Sequence, residues 1–190
     1  MEKNYLKNRW KDEFFFMDVL NIFPPIIQKS LKEIPFPKDL ENTKIEGAYI
    51  RGENGTGKTT KAAFMMIANI RDEDDLENNL FISASELLFE FKNSYSKNSD
   101  VSEKEILDKY SKAKLLVIDD FGIEKITDWS YQMLYILINR RYENMLPTIY
   151  TSNLTLEELG EKLGDHRIPS RIQGSCKLMK IEGTDFRLKL

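Results

Sequence analysis

Cysteine and histidine are scarce in this chain, and each scarcity narrows the chemistry. One cysteine, Cys176, excludes an internal disulfide and a cysteine-rich metal cluster, which fits a reducing compartment. One histidine, His166, argues against a histidine-based metal centre or a Ser-His-Asp triad. No apolar run approaches the roughly 18 residues that cross a bilayer. A signal-peptide core is also missing, since Phe14-Phe15-Phe16 is short and follows Asp12 and Glu13. A cytoplasmic protein is the expectation. There is no excess of basic charge either: the net charge is −3, so any nucleic-acid contact needs a local patch. No internal repeat is apparent. What the chain does have is 190 residues, 41% of them hydrophobic and 31% charged. That composition suits one soluble domain with a core and a short appendage.

The most informative stretch is Gly52-Glu53-Asn54-Gly55-Thr56-Gly57-Lys58-Thr59, followed by Thr60. It follows an apolar run, Ile45 to Ile50, and opens a helical pattern from Lys58 to Ile70. Strand, G-x-x-x-x-G-K-[ST], helix is the setting of a phosphate loop. Glycines let the backbone curl its N–H groups around an anion, and the following helix adds unpaired N–H groups and a positive dipole end. Lys58 supplies a point charge for β- and γ-phosphates, and Thr59 a hydroxyl for Mg²⁺. The expected ligand is a nucleoside triphosphate.

The second signal is Leu115-Leu116-Val117-Ile118-Asp119-Asp120. Four successive apolar residues predict a parallel strand buried on both faces. Two carboxylates at its C-terminal end stand where open α/β sheets place ligands. Asp119 is expected to hold Mg²⁺ beside Thr59, and Asp120 to orient or activate an attacking water. A third strand, Pro147 to Asn153, ends in Thr151-Ser152-Asn153, a polar trio within reach of a γ-phosphate.

Around these, helices are expected from Tyr5 to Leu20, with Trp10, Phe14 and Met17 on one face, and from Ile26 to Ile34 after Pro24-Pro25. The aromatics either pack on the domain's own core or form a partner-docking arm. Residues 71–75 read as a solvated charge run. Leu80 to Ile82 is a strand, Ser85 a cap for the helix carrying Leu87 and Phe91, 93–102 a polar loop, and Ile106 the start of another helix. Asp128 is the expected cap of the longest helix, which ends at Arg140-Arg141, cations that suit its negative end. Thr155 and Glu158 form a capping box for Leu156 to Leu163, and Lys177 to Ile181 is a last strand. The order predicts an α/β three-layer sandwich on a mainly five-stranded parallel sheet. Residues 1–44 are an N-terminal arm and 45–190 the ATPase domain.

Taken together, GAYIRGENGTGKTT, LLVIDDFGIEK, NRRYENMLPTIYTSNL, RIPSRI and EGTDFR resemble the AAA+ ATPases. Within these they resemble helicase loaders of the DnaC/DnaI type and the related IstB transposition ATPases. The resemblance implies a sensor-1 role for Asn153, an arginine finger at Arg171 that reaches a neighbouring subunit's γ-phosphate, a basic partner at Arg167, and a sensor-2-like Arg187 near the nucleotide. It also implies ATP hydrolysis with Mg²⁺, self-association, a replicative helicase as partner, and single-stranded DNA. Lys92, Tyr95 and Lys97 are the candidate DNA contacts, in a segment that equally suits a solvated loop. Two departures stand out: the arm is short for a separate helicase-binding domain, and the C-terminal lid domain is lacking. An IstB-like transposition ATPase, and a non-hydrolysing adaptor that mimics a loader, are the alternative readings.

Overall fold

Strands that alternate side chains between two apolar faces need helices on both, and that requirement organises this chain. The computed structural model describes residues 13–40, 46–70, 73–94, 101–122 and 126–183. The five strands are β1 (Gly47–Arg51), β2 (Asn79–Ser83), β3 (Leu115–Asp119), β4 (Thr148–Ser152) and β5 (Cys176–Lys180). They form one sheet in the order β2-β3-β4-β1-β5, and every neighbouring pair is parallel. This is the expected three-layer α/β sandwich.

The helices are α1 (Glu13–Asn21), α2 (Pro25–Glu33), α3 (Lys58–Asn69), α4 (Glu73–Asn78), α5 (Ala84–Ser94), α6 (Glu103–Lys112), α7 (Asp128–Glu143), α8 (Leu156–Leu163) and α9 (Arg167–Ser175). Ala48, Ile50, Leu115, Val117 and Ile149 face one core, completed by α1, α2 and α3. Tyr49, Leu116, Ile118 and Tyr150 face the other, completed by α5 to α9. The period-two split of β1, β3 and β4 thus builds two cores from one sheet.

The N-terminal helices are part of this packing. Val19, Leu20, Phe23, Ile27 and Leu31 are buried in the α3 core, and Phe15 packs against it. Met17, expected to share one face with Trp10 and Phe14, is 42% exposed. The α1 helix is turned so that Val19 and Leu20, not Met17, face the core. Trp10 lies outside the described residues.

Several helix starts differ from expectation by a residue or a turn. The cap of α7 is Thr127, paired with Ser130 in a reciprocal box, and Asp128 is the first helical residue. The cap of α5 is Ser83, whose hydroxyl accepts from the Glu86 N–H, so Ser85 is one turn position inside. A box between Ser102 and Glu105 starts α6 before Ile106. The Ser102 N–H bound to it holds the Glu105 carboxyl below its usual range. The charge run at 71–75 is partly helical: α4 begins at Glu73, and Asp75 pairs with Lys114 at 3.1 Å.

Arg141 does not serve its own helix. It is 1% exposed, and its guanidinium donates to the carbonyls of Tyr110 and Ala113 at 2.8 Å, to the Pro147 carbonyl at 2.6 Å and to Thr148 Oγ1 at 2.8 Å. Tyr110 and Ala113 lie at the C-terminal end of α6, where helix carbonyls lack intrahelical partners. Arg141 therefore ties the end of α6 to the start of β4. Burial lowers its pKa to about 10, which still leaves it charged at neutral pH. Its neighbour Arg140 turns outward and pairs with Asp108 at 3.1 Å.

Candidate nucleotide-binding site

The C-terminal ends of β1, β3 and β4 lie side by side, because parallel strands with helical crossovers put their following loops at one sheet edge. The loop Gly52–Gly57 leaves β1 there. A Cβ on Gly52 would come within 2.5 Å of the Ile181 carbonyl and 2.8 Å of Thr56 Oγ1, so the loop passes β5 with room for hydrogen only. Gly57 has φ of 90°, a left-handed turn into α3 that glycine adopts without strain. No side chain caps α3, and its first turn carries no acidic residue, which leaves the helix end suited to an anion. Inside the loop, Thr56 Oγ1 and Lys58 Nζ both donate to the Glu53 carbonyl, at 2.9 and 2.8 Å. Lys58 is 5% exposed, its ammonium gathered under the loop. Gly55 also has positive φ, and Asn54 and Glu53 are exposed at the tip. Thr60 lies half-buried in the first turn of α3.

Thr59 and Asp119 come together. Thr59 Oγ1 donates to the Asp119 carboxylate at 2.9 and 3.1 Å. Burial pushes the Asp119 carboxyl above its usual value, and the neighbouring Asp120 adds to this. Hydrogen bonds from Thr151 and Thr59 and the nearby Lys58 ammonium oppose it. A buried carboxylate raised in this way gains from a cation brought beside it.

Thr151 is the residue that composition and spacing did not single out for a role of its own. Its hydroxyl donates to Asp119 Oδ1 at 2.6 Å and accepts from the Asp120 N–H at 2.8 Å. One side chain on the central strand β4 thus fixes both acids. Asp120 needs the help: its φ is 56°, in the left-handed region, where aspartate is tolerated but strained. The next residue repeats the device, with Ser152 Oγ donating to the Phe121 carbonyl at 2.6 Å. With Asp119 holding Mg²⁺ for ATP hydrolysis, as proposed below, Thr151→Val is expected to lower turnover about 10- to 100-fold, the usual cost of losing a hydrogen bond to a metal ligand. Metal-free nucleotide affinity should change little. Steady-state kinetics against Mg²⁺ concentration, beside nucleotide titration in chelator, check both parts.

Asn153 reaches the phosphate loop directly, its Nδ2 donating to Asn54 Oδ1 at 2.8 Å. Its own Oδ1 is buried without a hydrogen-bond partner, a polar atom left for a ligand or water. Among the predicted site residues, then, Gly52 to Thr60, Asp119, Asp120 and Asn153 assemble at one edge. Arg171 does not join them. It lies on α9, and its hydrogen bonds go to Asn139 and Tyr135 of α7. Lys92 is exposed on α5. Tyr95, Lys97 and Arg187 lie outside the described residues.

Similarity to known proteins points the same way. The family model described as IstB-like ATP binding protein matches residues 23–190. The replicative helicase loader DnaI of Bacillus subtilis (strain 168) is 30% identical over 121 residues, 63% of this chain and 37% of that one. The Insertion sequence IS21 putative ATP-binding protein of Pseudomonas aeruginosa is 27% identical over 170 residues, 87% of this chain and 61% of that one. The chain thus spans less than two thirds of either relative's length. Among solved structures, the crystal structure of the DnaC helicase loader superposes with a TM-score of 0.64 at 23% identity, over 90% of this chain and 100% of that one, which speaks to fold. No helix among the described residues is long and apolar enough to cross a membrane. Because the family match covers residues 23–190 and the loop of residues 52–59 within it is built for phosphate, this chain belongs to the IstB-like ATP binding protein family, on the AAA+ fold of the DnaC and DnaI loaders, and is a nucleotide-binding protein.

Proposed function

We propose that this chain hydrolyses ATP to ADP and phosphate, and that it loads or remodels a replicative helicase on single-stranded DNA. The observation that carries the chemistry is the meeting of Thr59 with Asp119, beside Asp120 and Asn153, at the mouth of the phosphate loop. A hydroxyl and one carboxylate are a donor set that fits Mg²⁺, which takes few protein ligands and completes its shell with phosphate oxygens and waters. Thr59 and Asp119 would hold the ion, which when bound neutralises charge on the β- and γ-phosphates. Lys58 binds the same phosphates as a point charge. Asp120 orients a water, or accepts its proton, as that water attacks the γ-phosphorus; Asn153 hydrogen-bonds the water or the γ-phosphate. Arg171 of a neighbouring subunit supplies positive charge to the transferring phosphoryl group.

The helicase assignment rests on the likeness to DnaI, a replicative helicase loader by name. A second reading, control of a transposase, is favoured by the longer alignment to the IS21 protein. Co-purification of the full chain with a hexameric helicase or with a transposase decides between them. ATP turnover measured with and without single-stranded DNA tests the enzyme itself; no turnover in either state would leave an adaptor that only binds nucleotide. Lys58→Ala removes a charge-assisted hydrogen bond, and about a 10- to 100-fold weaker ATP affinity is expected. Titration with a fluorescent ATP analogue reads this, and an unchanged affinity would place the triphosphate elsewhere.

A further inference from the structure

Helix α7 presents Tyr131, Tyr135, Asn139 and Tyr142 at spacings of four, four and three, a single stripe along the helix. Helix α9 answers with Arg167 and Arg171, one turn apart. Tyr131 and Tyr135 stack at 6.3 Å with 12° between their planes. Arg167 lies 4.7 Å from the Tyr135 ring centre, and Arg171 lies 5.3 Å from it and 5.8 Å from that of Tyr142. The Arg171 Nε donates to Asn139 Oδ1 at 2.6 Å, and one Nη to the Tyr135 hydroxyl at 3.3 Å.

The partners of these cations differ in kind. Arg167 is paired with Asp165 at 2.9 Å, and Arg140 with Asp108 at 3.1 Å. Arg171 has no carboxylate at salt-bridge distance among the described residues; an amide oxygen, a phenol and two ring faces orient it. A guanidinium has about five N–H donors in a fixed fork, and two are engaged here, so the fork is aimed yet most of it stays free. Ring faces attract a cation without cancelling its charge.

We propose that Tyr135, Asn139 and Tyr142 are positioning residues for Arg171: a neutral clasp that sets the direction of the guanidinium and keeps its charge available to an anion on another subunit. This rests on the proposed reading of Arg171 as the group that completes a neighbour's site. The choice of asparagine at 139 is the centre of the idea. A carboxylate there would grip the fork in a bidentate pair and compete with the phosphoryl oxygens. An apolar residue would leave the side chain free to swing.

The test uses the full chain and DNA-stimulated ATP turnover. Asn139→Asp is expected to lower stimulated kcat about tenfold or more, with KM for ATP and affinity for a fluorescent ATP analogue unchanged. Asn139→Ala should lower kcat by a smaller factor, again without a change in KM. In an Arg171→Ala background, Asn139→Asp should have no further effect on kcat. Melting curves confirm that each variant folds. If Asn139→Asp and Asn139→Ala both match the parent while Arg171→Ala abolishes stimulation, the clasp is wrong and the role of Arg171 stands. A loss from Asn139→Asp that persists in the Arg171→Ala background also overturns the clasp. If Arg171→Ala itself leaves stimulation intact, the proposed role of Arg171 fails and the clasp fails with it.

Discussion

Arg171→Ala is expected to cut stimulated ATP hydrolysis about 10³-fold, the lower end of what an arginine finger contributes, while ATP affinity stays nearly unchanged. The split follows from where the side chain lies. Its hydrogen bonds go to α7, away from the loop of residues 52–59, so removing it takes nothing from the phosphate site of its own chain. On the proposed trans reading, the cation that answers the charge developing on a transferring phosphoryl group comes from another subunit. Mixing makes the point measurable. An Arg171→Ala chain keeps a competent loop, and a Lys58→Ala chain keeps a competent arginine. At an ATP concentration well below the Kd of the Lys58→Ala chain, each should turn over little ATP alone, and together they should regain turnover at the interface that pairs the good loop with the good arginine. An equal loss of binding in Arg171→Ala, with no recovery on mixing, would make its role internal to the subunit.

Arg141→Met should destabilise the fold by about 3 kcal/mol, which for a domain of this size lowers the melting temperature by about 10 °C. The arginine donates to three backbone carbonyls and one hydroxyl in a buried site, and methionine fills similar space with no donor at all. Carbonyls at the end of α6 would then be buried without partners, and α6 would lose its tie to the strand that carries Thr151 and Asn153. Removing the buried charge returns part of the loss, which keeps the expected figure near the cost of one or two charge-assisted bonds. Thermal unfolding followed by circular dichroism gives the number. A variant as stable as the parent would mean that the carbonyls find other donors. Arg141→Lys should fall between the two, since one ammonium cannot reach four acceptors spread over the α6 end and the β4 start.

The parts legible in the sequence were those whose cause is local. The phosphate loop is legible because glycines and a lysine must sit at fixed spacing. The β3 run is legible because a doubly buried strand has no polar face, and the Thr155–Glu158 box because both bonds close within one turn. The same local rule would have found the Ser102–Glu105 box, an S-x-x-E pattern passed over inside a polar loop. The Thr127–Ser130 box was harder, since serine replaces the usual acid at its third position. Thr151 and Arg141 were out of reach for another reason. Their partners are dozens of residues away in the chain: the β3–β4 register brings Thr151 beside Asp119 and Asp120, and the packing of α6 on α7 brings Arg141 beside Tyr110 and Ala113. The exposure of Met17 was open for a similar reason: the adjacent apolar pair Val19 and Leu20 offered a second face, and that face is the buried one.

The placement of β1 has a consequence for how the protein is made. This strand feeds the phosphate loop, yet its neighbours in the sheet are β4, which begins about a hundred residues later, and β5, later still. The Ile181 N–H bonds the Arg51 carbonyl at 2.7 Å, and the Ile181 carbonyl crosses just above Gly52. A growing chain on the ribosome therefore exposes its loop sequence early but cannot give it its final walls until β4 and β5 have emerged. The phosphate loop is thus a late-formed part of the fold, and a chain without β4 and β5 lacks the walls that shape it.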